Sequence, residues 1–256
     1  MKFITSLTAC SVFAAVVAFN LPASAIDLVA PNSLENSEGN GENQFPFVTT
    51  AAPQRYQQVY DASQFGTTPL SIEGIAFRLD DEFGNSFSTT IPDIEISLST
   101  ASADPDALSS AFADNIGADE TVVFTRGSLP LSSNSNTPSG TPEAFDIAVD
   151  FTDTFFFDPN VGNLLLEVKN FSTSIPSSPI FFNAENTTGD SVSRLFNTND
   201  ANATTGFTDS LGLVTQFNTA STQPVPFEAE GTMGLVALGG YFSYRFYRKK
   251  RQQKAN

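Results

Sequence analysis

The chain has 256 residues and a net charge of -16, from 28 acidic and 12 basic side chains, with no His, no Trp and a single Cys. Seven of the basic residues sit at the two ends, so Asp27 to Asp209 carries only five cations (Arg55, Arg78, Arg126, Lys169 and Arg194) against 26 acids. That balance excludes affinity for nucleic acid, which needs clustered Lys and Arg to neutralise phosphates. If an export signal containing Cys10 is removed, no thiol or imidazole remains. This excludes disulfides, Cys/His zinc sites and every nucleophile–histidine triad.

Met1 to Ala25 has the order of a secretory signal peptide: Lys2, an apolar run from Val12 to Phe19, a breaker at Pro22 and the small-residue site Ala23-Ser24-Ala25. Cleavage is expected before Ile26. Leu7-Thr8-Ala9-Cys10 has the outward form of a lipobox, but its apolar run follows the Cys instead of leading to it. The segment 26–44 is polar and rich in turn residues and is expected to be an irregular N-terminal arm. Residues 45–223 form one domain by the usual size of a single core.

Within that domain, short alternating or aromatic-rich runs are divided by Gly, Pro, Asn, Asp and Ser, the pattern of an all-β fold. Ile75, Phe77 and Leu79 share one face; so do Ile94, Ile96 and Leu98; so do Phe145, Ile147, Val149 and Phe151, with Asp146 and Asp150 opposite. Each set has the period of two that a half-buried strand requires. Further strands are expected over 55–60, 121–125, 164–168, 180–183, 192–196 and 211–217. One short helix is expected over 104–117, where Asp104 would cap, Pro105 would open the first turn and Gly117 would close the last. The architecture expected from this is a β-sandwich, jelly-roll-like, with one short helix. Most of the 25 Phe residues fall on the inward parity of strands, and Phe155-Phe156-Phe157 must divide between the two faces.

Asp80, Asp81, Glu82 and Asn85 gather oxygen donors around Gly84 between two strands, a weak candidate for calcium, which takes six to eight oxygens from flexible loops. The spacing does not match an EF-hand, and no other cofactor is expected. A glycosidase needs two carboxylates at a suitable separation, and a chain this acidic supplies pairs everywhere. Asn170-Phe171-Ser172, Asn186-Thr187-Thr188 and Asn202-Ala203-Thr204 match the N-glycosylation acceptor pattern, although an Asn-, Ser- and Thr-rich chain also generates such triplets by chance.

The C-terminal stretch 224–256 combines Pro226-Phe227-Glu228, an apolar run from Gly231 to Tyr244, and a basic end containing Arg245, Arg248, Lys249, Lys250, Arg251 and Lys254. As a helix the apolar run would span about 21 Å, short of the ~30 Å hydrocarbon core. Snorkelling arginines would extend its reach, and the basic end would stay cytoplasmic. The order of these parts resembles the PEP-CTERM class of bacterial sorting signals, in the PFE-type variant found in cyanobacteria. The resemblance implies recognition of Pro226, Phe227 and Glu228 by an exosortase, an integral-membrane cysteine protease or transpeptidase, with Arg245 to Lys254 as the retained cytoplasmic end. It also implies delivery to the outer surface or the extracellular polysaccharide matrix. The stretches 55–60, 74–78 and 162–166 are similar to those of other exosortase-sorted proteins, a likeness that brings no activity with it. The expectation is an exported, non-enzymatic surface protein, first held by its tail in the membrane and then associated with envelope or exopolysaccharide. The alternatives are a carbohydrate-binding module and a polysaccharide hydrolase.

Overall fold

A computed structural model describes residues 25–47, 53–135, 141–173 and 179–221. Alternation of apolar and polar side chains carries these residues into thirteen strands: β1 (Ala25–Ala30), β2 (Gly41–Asn43), β3 (Gln54–Tyr60), β4 (Leu70–Phe77), β5 (Phe87–Ala101), β6 (Thr121–Ser133), β7 (Ile147–Phe157), β8 (Asn163–Asn170), β9 (Phe182–Asn186), β10 (Val192–Asn197), β11 (Phe207–Asp209), β12 (Leu211–Leu213) and β13 (Thr215–Ser221). The fold is all-β. A six-stranded sheet has the order β11-β10-β3-β8-β5-β6, a four-stranded sheet β1-β13-β4-β7, and a small third sheet β12-β9-β2.

The pairing is nested. β5 pairs with β6, β4 with β7 around them, and β3 with β8 outside both, all antiparallel. β8 also pairs with β5, setting Ile96 opposite Val168 and Leu98 opposite Leu166. A long antiparallel ribbon is thus folded back so that its outer strands meet its inner ones. Inward residues of both larger sheets fill one core: Tyr56, Ile94, Ile96, Leu98, Leu164 and Val168 from the six-stranded sheet, Ile72, Ile75, Phe77, Val149, Phe157 and Phe217 from the four-stranded sheet. Tyr60 and Phe217 meet edge to face across it with ring centroids 5.0 Å apart. Each such side chain contributes about 1.5–3 kcal/mol through burial. β7 divides the Phe triplet as its parity demands, with Phe155 and Phe157 buried and Phe156 58% exposed.

Two expectations are corrected. The segment 26–44 is not an irregular arm. β1 pairs with β13 from Ala25↔Ala220 to Ala30↔Thr215, β2 pairs with β9, and a 3-10 turn covers Asn32–Leu34. Turn residues do dominate the middle of this segment, but Ile-Asp-Leu-Val at its start is a strand sequence that needs only an edge to pair with.

The helix expected over 104–117 does not form either; the segment holds a single 3-10 turn at Phe112–Asp114. Asp106 has a φ of 62°, in the left-handed region that breaks a right-handed helix. Backbone groups that a helix would satisfy internally bond elsewhere: Phe112 N–H to the Thr204 carbonyl at 3.1 Å, and Gly206 N–H to the Ser110 carbonyl at 2.9 Å. The Asn115 amide takes both the N–H of Ser109, at 2.8 Å, and its carbonyl, at 2.9 Å. Leu108 and Phe112 are nevertheless buried, in a second small cluster with Val59, Leu165, Leu195 and Ala203. Their apolar spacing reflected packing, not a helical period.

Candidate functional site

The loop after β4 is built around two side chains that serve the backbone. Asp80, 6% exposed, accepts the N–H groups of Glu82 at 3.0 Å and Phe83 at 2.7 Å through Oδ1. Gly84 N–H closes onto the Asp80 carbonyl at 3.0 Å, and the Asn85 amide donates to the Phe83 carbonyl at 3.3 Å. The cluster Asp80, Asp81, Glu82 and Asn85 is therefore an Asx-type turn, in which the best calcium donor already accepts two amides. Among the described residues, no group of three or more His, Cys, Asp or Glu side chains is placed to hold a metal ion.

Beneath this loop lies Arg78, 1% exposed. Its guanidinium donates to Asn183 Oδ1 through Nε at 3.1 Å and Nη2 at 2.9 Å, and to the carbonyls of Leu34 and Ser37 at the end of the N-terminal 3-10 turn. The Phe145 ring covers it at 4.8 Å. Glu38 stands next to it and takes the Asp81 N–H at 3.1 Å and the Asn183 amide on Oε1, while its Oε2 is buried without a partner. Burial pushes the Glu38 carboxyl above its usual range, against the opposing pull of the Asp81 N–H and Arg78. Burial also lowers Arg78 from its ordinary value. Fixed charge, carbonyls and amide thus bind residues 34–38, 78–81 and 183 into one unit. Sequence reading missed it because its partners lie up to 145 residues apart.

A second polar cluster lies along the six-stranded sheet. Glu167, on β8, is 3% exposed and receives Arg55 Nη2 on both oxygens at 3.1 and 3.0 Å, the Gln57 amide at 2.5 Å and Lys169 at 3.0 Å. Gln57 also donates to the Phe112 carbonyl and accepts from Asn115. Through Gln57 and Asn115 the cluster fastens the 104–117 segment to the sheet, while the Arg55 Nε within it is buried without a hydrogen-bond partner.

Among the described residues, shallow clefts lie on either side of the turn before β10. The larger, about 500 Å³, includes Gln64, Glu185, Thr187 and Asp190; the smaller, about 250 Å³, includes Asp106, Ser193, Thr208 and Asp209. Asp190 accepts Val192 N–H on Oδ1 at 2.8 Å and has a buried, unpartnered Oδ2. Burial raises its carboxyl above the usual range, with Glu185 and Asp106 acting in the same direction. Acid catalysis at a glycoside uses one carboxyl of raised pKa near a second carboxylate. The exposed aromatic side chains Phe83, Phe156 and Phe207 (47, 58 and 73% exposed) lie on different elements, whereas Tyr56 and Tyr60 are wholly buried.

Of the residues expected to direct processing, Ala25 begins β1. Ala23, the motif Pro226, Phe227 and Glu228, and the basic residues Arg245, Arg248, Lys249, Lys250 and Arg251 lie outside the described residues. No family model, no curated protein and no solved structure matches the chain.

Proposed function

We propose that this is an exported surface protein, released or anchored through its C-terminal sorting signal, whose acidic β-sandwich of jelly-roll type contributes to the envelope or exopolysaccharide layer. The observation that carries the reading is the order of parts: a signal peptide ending at Ala25, one domain, then Pro226-Phe227-Glu228, a short apolar run and a basic end. Two features of the domain agree with it. Ala25 pairs with Ala220, so the start of the first strand and the end of the last lie side by side in the four-stranded sheet. The four nested antiparallel pairs β1–β13, β3–β8, β4–β7 and β5–β6, with β13 also against β4 and β8 against β5, support the jelly-roll reading, which takes eight strands in two such sets. The partners of the precursor are an exosortase-type processing enzyme and the membrane.

Intact mass of the surface-exposed form tests this. The expected chain begins at Ile26 and lacks residues 229–256, and replacing Pro226, Phe227 and Glu228 by Ala leaves the tail attached. A native form that keeps the tail makes it a simple anchor.

The hydrolase alternative is favoured by one observation, the Asp190 carboxyl, which burial raises and which lines the larger cleft together with Glu185. It requires turnover on a panel of polysaccharides that Asp190→Asn abolishes. The carbohydrate-binding alternative requires glycan binding lost on replacing Phe83, Phe156 or Phe207, and binding unaffected by all three changes removes it.

A further inference from the structure

Three Asn-x-Ser/Thr triplets occur in the described residues, and the fold treats them differently. Asn170 ends β8, between β3 and β5, where it pairs with Gln54 and Ile94. It is 2% exposed and its amide donates to the Pro46 carbonyl at 3.1 Å. A sugar on this nitrogen would remove that donor and would have to occupy packed protein. Asn186 ends β9 and is paired with Leu211 of β12. The hydroxyl two residues on, Thr188 Oγ1, is engaged with Ser210 Oγ at 3.0 Å.

Asn202 lies outside every strand, in the turn between β10 and β11. Asp200 shapes that turn: its carboxylate accepts Asn202 N–H at 2.8 Å and its carbonyl accepts Ala203 N–H at 3.2 Å. Ala201 (1% exposed) and Ala203 (8%) point into the protein, while Asn202 and Thr204 are exposed. Arg55 holds the Ala203 carbonyl at 2.8 Å and Phe112 N–H holds that of Thr204. The turn is therefore fixed at its root with two side chains directed outward. Neither the Asn202 amide nor the Thr204 hydroxyl has a partner among the described residues. An acceptor pattern in an exported chain needs a surface turn that tolerates a bulky substituent. Asn186 and Thr188 are exposed as well, but Asn186 lies in a strand pair and the Thr188 hydroxyl is already bonded; of the three triplets, that of Asn202 presents both side chains unbonded from a turn.

We propose that Asn202 is an N-glycosylation site, with Thr204 as the hydroxyl read by the transferase. The donor class is a saccharide carried on a lipid diphosphate. The Asn202 amide nitrogen forms a bond to the anomeric carbon, the bond from that carbon to the diphosphate oxygen breaks, and the lipid diphosphate leaves with the electron pair. One amide proton passes to a base of the transferase, and no redox partner is involved. The attached glycan would stand beside β11 at the edge of the six-stranded sheet, which has no further strand on that side. The inference rests on the export reading, because such donors are used on the far side of the membrane.

The test is peptide mapping by mass spectrometry of the full chain recovered from its native cells, with the N-terminus read from the same sample. The expected result is a chain beginning at Ile26 whose Asn202 peptide carries one or more sugar residues, with Asn170 and Asn186 peptides unmodified. Asn202→Gln and Thr204→Ala each remove the sugar, Thr204→Ser retains it, and Asn186→Gln changes nothing. An unmodified Asn202 on a chain beginning at Ile26 overturns the acceptor assignment and leaves the export reading standing. Sugar on Asn170 or Asn186 in place of Asn202 overturns it as well. A chain that still begins at Met1 overturns the export reading and the acceptor assignment together.

Discussion

Replacing Arg78 with Met keeps the length and apolar stem of the side chain and removes the guanidinium. Four acceptors then lose a donor: the carbonyls of Leu34, Glu35 and Ser37, and Asn183 Oδ1. Glu35 and Ser37 are exposed, so water replaces the donor at their carbonyls. Asn183 is 0% exposed, and a buried acceptor left without its main donor costs about 1–3 kcal/mol. Glu38 also loses a neighbouring positive charge, but it is only half-buried and forms no ion pair with Arg78 among the described residues, so this adds little. The expected loss is therefore about 1–3 kcal/mol, against the roughly 5–15 kcal/mol that holds a domain together. At about 2–4 °C per kcal/mol for a domain of this size, the melting temperature should fall by roughly 2–12 °C. Urea unfolding of the native chain and the Arg78→Met variant gives the difference directly, with an unchanged slope showing that both unfold alike. Limited proteolysis should cut first within 32–40, where the carbonyl contacts were lost. A difference under about 1 kcal/mol, with that segment still protected, would sink the view that Arg78 fastens the N-terminal segment to the sheet.

The remaining expectations concern the same loop and the core. Asp80→Ala strips two backbone amides of their acceptor and should cost about 1–2 kcal/mol, the range for losing a helix-cap side chain; calorimetry without added metal measures it. Because that carboxylate is occupied by its own loop, millimolar calcium should leave the melting temperature of the native chain unchanged, and a rise with calcium that chelator reverses refutes the reading. Glu38 holds its proton more tightly folded than unfolded, so its contribution is fully present below the unfolded carboxyl pKa of about 4.3 and is lost as pH rises through the folded value. Glu38→Gln should therefore gain on the native chain between about pH 4 and pH 7, and urea midpoints that differ equally at both ends contradict this. Phe217→Ala opens a cavity between Tyr60 and Phe65 and should cost about 3–5 kcal/mol. Gly84→Ala should also destabilise, since its Cβ would lie 2.6 Å from the Asp80 carbonyl oxygen.

Strands whose inward set is a run of β-branched, Leu or aromatic residues at a spacing of two were legible: Ile94, Ile96 and Leu98 in β5, Ile75 and Phe77 in β4, Ile147 and Val149 in β7. There the burial that stabilises the strand is the same feature that marks it in the sequence. β1 and β11 were not legible, because an edge strand of three to six residues depends on the neighbour it pairs with more than on its own pattern. The 104–117 segment misled for a physical reason. Its Asp-Pro opening and spaced apolar residues suit a helix, but Thr204, Gly206 and Asn115 offer its backbone better partners than a helix would. The acidic loop at 80–86 was located correctly between two strands, yet its carboxylate turned inward to its own amides, a choice set by a two-residue reach that composition does not reveal. The Arg78, Glu38 and Asn183 unit joins three distant segments, and nothing local announces it.

The pairing of β1 with β13 ties the first strand of the domain to the last. In a chain threaded through a membrane from its N-terminus, Ala25 to Ala30 emerges early and has no neighbour until Thr215 to Ser221 follows. The four-stranded sheet cannot close on a partial chain, and contacts of such long sequence separation form slowly. On the proposed export route, Ala25 would stay unpaired until then, and the bond before Ile26 would be open to a peptidase until the pair with β13 forms. On that route, closure of this one strand pair would separate the time of trimming from the time of folding.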